Sequence, residues 1–275
     1  MSEAKSQLLA LTLHGDVIPI VLEYASTIHL QMVRCFGRKG TGDGEFRRPH
    51  GLAVQGDELF VCDSVNQRVQ VFHCTNGRFL RSFGDWASRC KPIAISTNTS
   101  MVCVADSSLT VRTFSIHDFS ALKSIQCAEN VFDVFCLGET LMVMSVPTLN
   151  QLLWMHLETQ KIKKMQTKLE RPRGLYVDGE DIFVVSRGNV QVLNARHPMC
   201  YKTGLDNGPD TVVVHGEQVI VASSIDQRLQ IFNRDSQQLE KTLPFMHKPC
   251  SMALYKKTQE LFVSDCDGHK IVVFQ

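Results

Sequence analysis

The residues of this chain that could do chemistry are few, and they recur at one kind of place. His50, Asp133, Arg173 and Asp210 each fall one or two positions after the start of an internal repeat. An imidazole and carboxylates gathered from separate segments are the material of a metal site. Zinc would want three converging histidine or carboxylate groups plus an open position, and calcium several oxygen ligands. The matching positions of the other two repeats, Ile93–Ala94 and Cys250–Ser251, bring no imidazole or carboxylate. One histidine, two aspartates and one arginine fall short of what metal-assisted catalysis needs. His50 therefore reads as a hydrogen-bonded lining residue, and Asp133, Arg173 and Asp210 as groups that pair with one another or with water. No G-x-S-x-G nucleophile elbow and no P-loop occurs. The expectation is a chain with no catalytic residue, no metal and no cofactor.

The ten cysteines, at 35, 62, 74, 90, 103, 127, 136, 200, 250 and 266, include no C-x-x-C pair, so metal-ligand spacing is absent. Residues 8–22 are apolar but broken by His14, Gly15, Asp16 and Pro19, with only Lys5 ahead of them. That is not a secretory signal. The cysteines read as reduced, buried thiols of a cytoplasmic protein. No apolar run reaches the ~18–20 residues that span a bilayer. With 29 basic and 28 acidic side chains the net charge is +1, so no global field steers the chain to nucleic acid or anionic lipid.

The elements that must position these residues come from the repeat. Units begin at Pro49, Pro92, Val131, Pro172, Pro209 and Pro249, with steps of 43, 39, 41, 37 and 40 residues. Each has three apolar runs parted by Gly, Asp, Asn or Ser, which reads as strands joined by tight turns. The second run is nearly continuous, as in residues 59–62 (LFVC) and 182–185 (IFVV). A strand without alternation is covered on both faces, which is the situation of a blade sandwiched in a β-propeller. A fourth, more polar run follows, as in residues 78–83, 161–165 and 238–243, with the character of a half-solvated outer strand. The pattern predicts an all-β, six-bladed β-propeller of four-stranded antiparallel blades. Its first strands fall near residues 50–54, 92–96, 132–136, 173–177, 210–214 and 250–254. Unit six stops after its third run, and Ile28–Phe36 is a spare strand-like segment. It is expected to be the missing outer strand, closing the ring against Lys270–Phe274. Residues 28–275 would then be the propeller and 1–27 an N-terminal segment, with a short helix over 17–25 capped by Asp16.

Residues 37–72, GRKGTGDGEFRRPHGLAVQGDELFVCDSVNQRVQVF, resemble an NHL repeat. The glycine-rich run, Phe46, Pro49, Gly51 and the D-x-x-N-x-R stretch of Asp63, Asn66 and Arg68 carry the likeness. Unit five keeps part of it in Ser223, Asp226 and Arg228. Unit six keeps Asp265 with Gly268 and Lys270, and units two and three are eroded. The D-x-x-N-x-R stretch reads as a blade-building part, its carboxylate and amide bonding turn backbone and its arginine reaching a carboxylate. The resemblance implies a platform for protein or RNA, since fold alone does not choose among functions; related propellers are enzymes, including metal-dependent lyases and hydrolases.

Loops between successive units would share one face. They carry Arg38, Lys39, Arg47, Arg48, Arg89, Lys91, Lys168, Arg171 and Lys248; with Arg173 these ten cations face seven carboxylates. An RNA-binding face would be more basic and would expose aromatics for stacking, for which Phe46, Trp86 and Phe245 are candidates. The favoured reading is a monomeric, non-catalytic scaffold that binds a protein through Arg38, Lys39, Arg47, Arg48, Trp86, Arg89, Lys91, Arg171, Phe245 and Lys248. RNA is the alternative partner, and no membrane is involved.

Overall fold

The computed structural model describes residues 12–13, 16–17, 30–84, 90–165, 167–193, 199–205 and 208–275. The described residues form six four-stranded antiparallel sheets arranged as the blades of a propeller, numbered here from Pro49, with strands A to D running from the channel outward. The A strands are Pro49–Gln55, Pro92–Thr97, Asp133–Leu137, Leu175–Asp178, Thr211–His215 and Pro249–Tyr255. Blade 1 continues with Glu58–Asp63, Arg68–His73 and Phe79–Phe83. The other blades repeat this order, and no described helix is long and apolar enough to cross a membrane.

The B strands explain why the ring exists. In blade 1, Leu59 and Val61 pack against blade 6, with Ala253 and Phe262, while Phe60 and Cys62 pack against blade 2, with Ile95, Val102 and Val104. Successive side chains of a strand point to opposite faces, so an uninterrupted apolar strand demands a partner on each side. The same holds at the other junctions, and each of the six blade–blade interfaces has its own cluster of buried side chains. Near the channel the A strands approach so closely that side chains are excluded. A Cβ on Gly174 would lie 2.5 Å from the Asp210 carbonyl oxygen and the Thr211 Cα, and one on Gly51 2.7 Å from the Ile93 carbonyl oxygen. This is the reason for glycine two residues after the proline in both repeats.

The outer strand of blade 6 comes from the other end of the chain. Met32–Phe36 pairs antiparallel with Lys270–Phe274, and Gln31 and Gln275 exchange backbone hydrogen bonds of 3.0 Å. The strand begins later than expected, at Met32; residues 28 and 29 lie outside the described residues. Its side chains also reach blade 1. Arg34 forms an ion pair with Glu260, which is 6% exposed, and donates 2.7 Å to the Cys74 carbonyl, while the Phe36 ring lies 5.3 Å from Phe72. The expected helix over 17–25 lies outside the described residues apart from Val17, which with Asp16 pairs to Thr12–Leu13.

Two outcomes follow from this architecture. Removing residues 1–36 should lower the urea midpoint far more than removing residues 1–15, because only the first strips a strand and bares two blade faces. Equal midpoints for the two truncations would show that Met32–Phe36 is not the clasp. Gly174→Ala should cost about 1–3 kcal/mol by forcing blades 4 and 5 apart, measured by chemical denaturation.

Candidate functional site

In a blade that runs A to D, the D-to-A loops and the B–C turns meet on one face of the ring. The backbone bonds show them meeting: Val65 donates to the Arg47 carbonyl, Ser107 to Lys91, Arg187 to Glu170 and Cys266 to Lys248. This face is held together from below by buried carboxylates. Asp63, fully buried, accepts from the Arg47 N–H at 2.7 Å, Asn66 Nδ2 at 2.8 Å, Arg68 Nε at 2.9 Å and Gln70 Nε2 at 3.0 Å. Asn66 also donates to the Gly40 carbonyl, and Arg68 to those of Gly42 and Glu45. The D-x-x-N-x-R stretch therefore clamps the glycine loop 38–46 to its own turn. Arg68 takes its buried carboxylate, Asp63, from within the motif and also lies 4.0 Å from Asp43 of the glycine loop. The eroded second unit keeps the core of the device, Arg112 Nε donating 2.7 Å to buried Asp106. In blade 6 the same place is taken by Asp265, 2.9 Å from His247 Nδ1.

The predicted loop-face residues divide. Arg38, Lys39, Arg47, Arg48, Lys91 and Arg171 are exposed and Lys248 is half-buried. Several cations are engaged with carboxylates of the same face: Arg38 with Glu45 at 2.9 Å, Arg48 with Asp267 at 3.5 Å, Arg187 with Glu170 at 3.7 Å. The Gly42 N–H and the Arg38 guanidinium hold the Glu45 carboxyl below its ordinary range. Trp86 and Arg89 lie outside the described residues. Phe245 corrects an expectation. It is 6% exposed and packs between blades 5 and 6, its ring 6.3 Å from Phe274, so it presents nothing to a ligand. Phe46 is likewise fully buried. The exposed apolar residues of this sector are Met246, 77% exposed, and Ile225 in the facing B–C turn. Hydrophobic periodicity does not mark either residue, because both lie in loops.

At the channel the fold brings the four mouth residues to one level, with His50, Asp133 and Asp210 lining a cavity of about 10 Å³. His50 Nδ1 lies 3.1 Å from the Ile93 carbonyl oxygen, and burial pushes the imidazole below its ordinary value, so the ring is neutral. Arg173 pairs with Asp210, whose other oxygen accepts from the Ser224 N–H at 2.7 Å; the guanidinium also sits 5.3 Å over the Phe132 ring. Asp133 accepts from the N–H groups of Leu175 at 2.8 Å and Val134 at 2.9 Å. Burial nevertheless pushes its carboxyl up to about 7. Towards the opposite face the channel widens into a cavity of about 350 Å³, lined by Leu52, Ile95, Val134, Leu175, Val212 and Met252 among others.

The cysteines bring a second correction. Eight are free, five of them buried, but Cys250 and Cys266 form a disulfide with Cα–Cα 6.3 Å. Pro249 pairs with Asp265, and the bulge that follows sets the two cysteines side by side. A ligand atom from each of His50, Cys250 and Cys266 lies within 4.8 Å of the other two. The sequence offered no metal-ligand spacing, yet the fold brings three residues of metal-ligating type together.

The NHL-repeat family model matches residues 46–72, the stretch that contains Phe46, the Pro49–Gly51 turn and the Asp63 clamp. A curated relative, "RING finger protein nhl-1" of Caenorhabditis elegans, is 46% identical over 54 residues, which are 19% of this chain and 5% of that protein. One NHL repeat is thus matched, within a chain whose described residues fold as a six-bladed β-propeller. In this propeller the residues of the matched repeat are structural, and the channel carboxylates are committed to backbone or to arginine.

The position of Asp133 gives a pH signature. Its folded pKa of about 7 lies above the ordinary 3.8, so the protonated carboxyl contributes stability that is complete below about pH 4 and is lost as pH rises through about 7. Relative to Asp133→Asn, the wild type should lose about 2–3 kcal/mol between pH 5 and pH 8. Urea midpoints of both proteins at the two pH values check this. A difference that does not change with pH would mean that the carboxyl is ionised throughout.

Proposed function

We propose that this NHL propeller is a non-catalytic, monomeric scaffold that binds a protein partner through its inter-blade loop face. Its free cysteines suit a reducing cytoplasm. The observation that carries the reading is the state of charge on that face. Arg38, Arg48, Arg173 and Arg187 are already paired with Glu45, Asp267, Asp210 and Glu170. A phosphate backbone would have to displace those carboxylates, and the candidate stacking rings Phe46 and Phe245 are buried. A protein surface of mixed polarity meets such a face without that loss.

Exposed Met246 and Ile225 supply the apolar centre that a protein interface needs. They stand on adjoining loops, which are tied by the Phe245 N–H donating 2.7 Å to the Gln227 carbonyl. Lys39, Arg47 and Lys91 add exposed cations to the same face, as a polar rim.

The test is affinity capture from the native source, with and without nuclease, comparing the wild type with an Ile225→Asp, Met246→Asp double variant. The captured protein should survive nuclease and fall about tenfold with the variant, the effect of losing about 1.4 kcal/mol at an apolar anchor. The thermal midpoint should barely move, since both side chains are exposed. Capture abolished by nuclease would replace this reading with the RNA-binding alternative.

A further inference from the structure

His50, Cys250 and Cys266 meet at the seam where the ring closes. His50 and Cys250 occupy the same position in neighbouring repeats, each directly after the proline that opens strand A of blades 1 and 6. Cys266 follows strand B of blade 6, and its Sγ lies 2.8 Å from the Pro49 carbonyl oxygen of blade 1. Blade 1 carries Ser64 at the matching place, where the hydroxyl donates 2.5 Å to the Pro92 carbonyl of blade 2. The seam thus has a cysteine sulfur where another junction has a hydroxyl, with a second cysteine sulfur and an imidazole beside it.

We propose that, when the Cys250–Cys266 disulfide is reduced, these three residues form a zinc site that ties blade 6 to blade 1. Thiolate and imidazole are zinc's own ligand set. The ligand atoms already lie within 4.8 Å of one another, while tetrahedral zinc holds two sulfurs about 3.8 Å apart at its usual bond lengths. Opening the S–S bond lets the sulfurs separate by the small distance required. The histidine is prepared for coordination. A proton on Nδ1, bonded to the Ile93 carbonyl at 3.1 Å, leaves the lone pair on Nε2, the arrangement by which a backbone carbonyl orients a metal-binding ring. The cavity of about 10 Å³ beside His50 and Cys250, with Asp133 and Asp210 on its wall, has room for about one water. That water completes four-coordination.

The two states balance chemically. A dithiol reductant delivers two electrons and two protons to the Cys250–Cys266 bond, leaving two thiols and the oxidised dithiol. Zinc then displaces the two thiol protons. Oxidation reverses the sequence and expels the metal, since the same sulfur electron pairs cannot serve both bonds. The disulfide lies within blade 6, whereas zinc would cross-link blade 6 to blade 1. Reduction with zinc would therefore add a cross-link between the A strands of blades 6 and 1 at the seam, where Met32–Phe36 joins Lys270–Phe274 by hydrogen bonds alone.

The test starts from protein reduced with a phosphine and desalted under anaerobic conditions. It should bind one Zn²⁺ per chain by calorimetry and by elemental analysis, and its thermal midpoint should rise with zinc, as binding to the folded state alone requires. The air-oxidised protein should bind none. Zn²⁺ binding should be lost in His50→Ala, Cys250→Ser and Cys266→Ser, and kept in the Cys35→Ser, Cys200→Ser control, which removes the two exposed free thiols. Should a seam variant fail to fold, zinc-edge X-ray absorption of the wild type decides alone. Two sulfurs near 2.3 Å and a nitrogen near 2.0–2.1 Å support the site. Reduced protein that takes up no zinc, zinc retained by a folded Cys250→Ser, Cys266→Ser double variant, equal uptake by oxidised protein, or a shell without sulfur would each overturn it.

Discussion

Everything in this molecule depends on strands that are apolar on both faces. A sheet with one dry face is content against one partner, but the B strands here send alternate side chains into two different interfaces. Phe183 and Val185 face blade 5 while Ile182 and Val184 face blade 3. A stack of such blades has two raw ends, and water penalises both in proportion to the apolar area they expose. Closing the stack on itself removes the ends. The alternation along each B strand therefore specifies a ring, and the A-strand approach at Gly51 and Gly174 sets how tightly it can turn.

A ring made from one chain must still be fastened. Here the fastening is a strand, Met32–Phe36, held by a backbone ladder, the pairing of Arg34 with buried Glu260 and the packing of Phe36 on Phe72. Glu260 belongs to blade 6, while Phe72 and the Cys74 carbonyl that Arg34 also reaches belong to blade 1. The strand is thus more than the fourth strand of its own sheet; it bridges the seam. Buried ion pairs are weak sources of net stability but costly to break. The Arg34–Glu260 pair accordingly acts as a device that fixes register, since a strand slipped by one residue would leave Glu260 unpaired in the core.

Much of this was legible in the residues. The Pro-x-Gly openings mark the A strands because they reflect a steric fact, the missing Cβ at the blade contact. The polar fourth runs mark D strands because outer strands face water, and the spare segment before Pro49 marks the clasp. What stayed hidden has a common cause. Phe245 and Met246 are neighbours in one loop, and only the packing of that loop decides that the first is buried and the second exposed. Cys250 and Cys266 stand 16 residues apart on different sides of a strand pair, and a bulge brings them together. His50 reads as a lone lining histidine until ring closure sets blade 6 beside it. Linear spacing carries the period of strands; it does not carry contacts made by loops, bulges and closure.

The same distinction explains why some repeats have lost their signature without harm. The task of the Asp63 clamp is to satisfy buried backbone and to tether the glycine loop, residues 38–46, that leads into blade 1. Where the preceding connection is different, less suffices: Ser186 Oγ accepts the Glu170 N–H at 3.0 Å in blade 4, and blade 3 has the buried, apolar Val146 at the same place. Where an acceptor ends strand B, it spares a buried N–H that would cost about 1–3 kcal/mol if left unpaired. The full Asp–Asn–Arg set is needed only where a loop must be held down as well. The most elaborately tethered part of the loop face, between blades 6 and 1, is also the part that adjoins the closure seam.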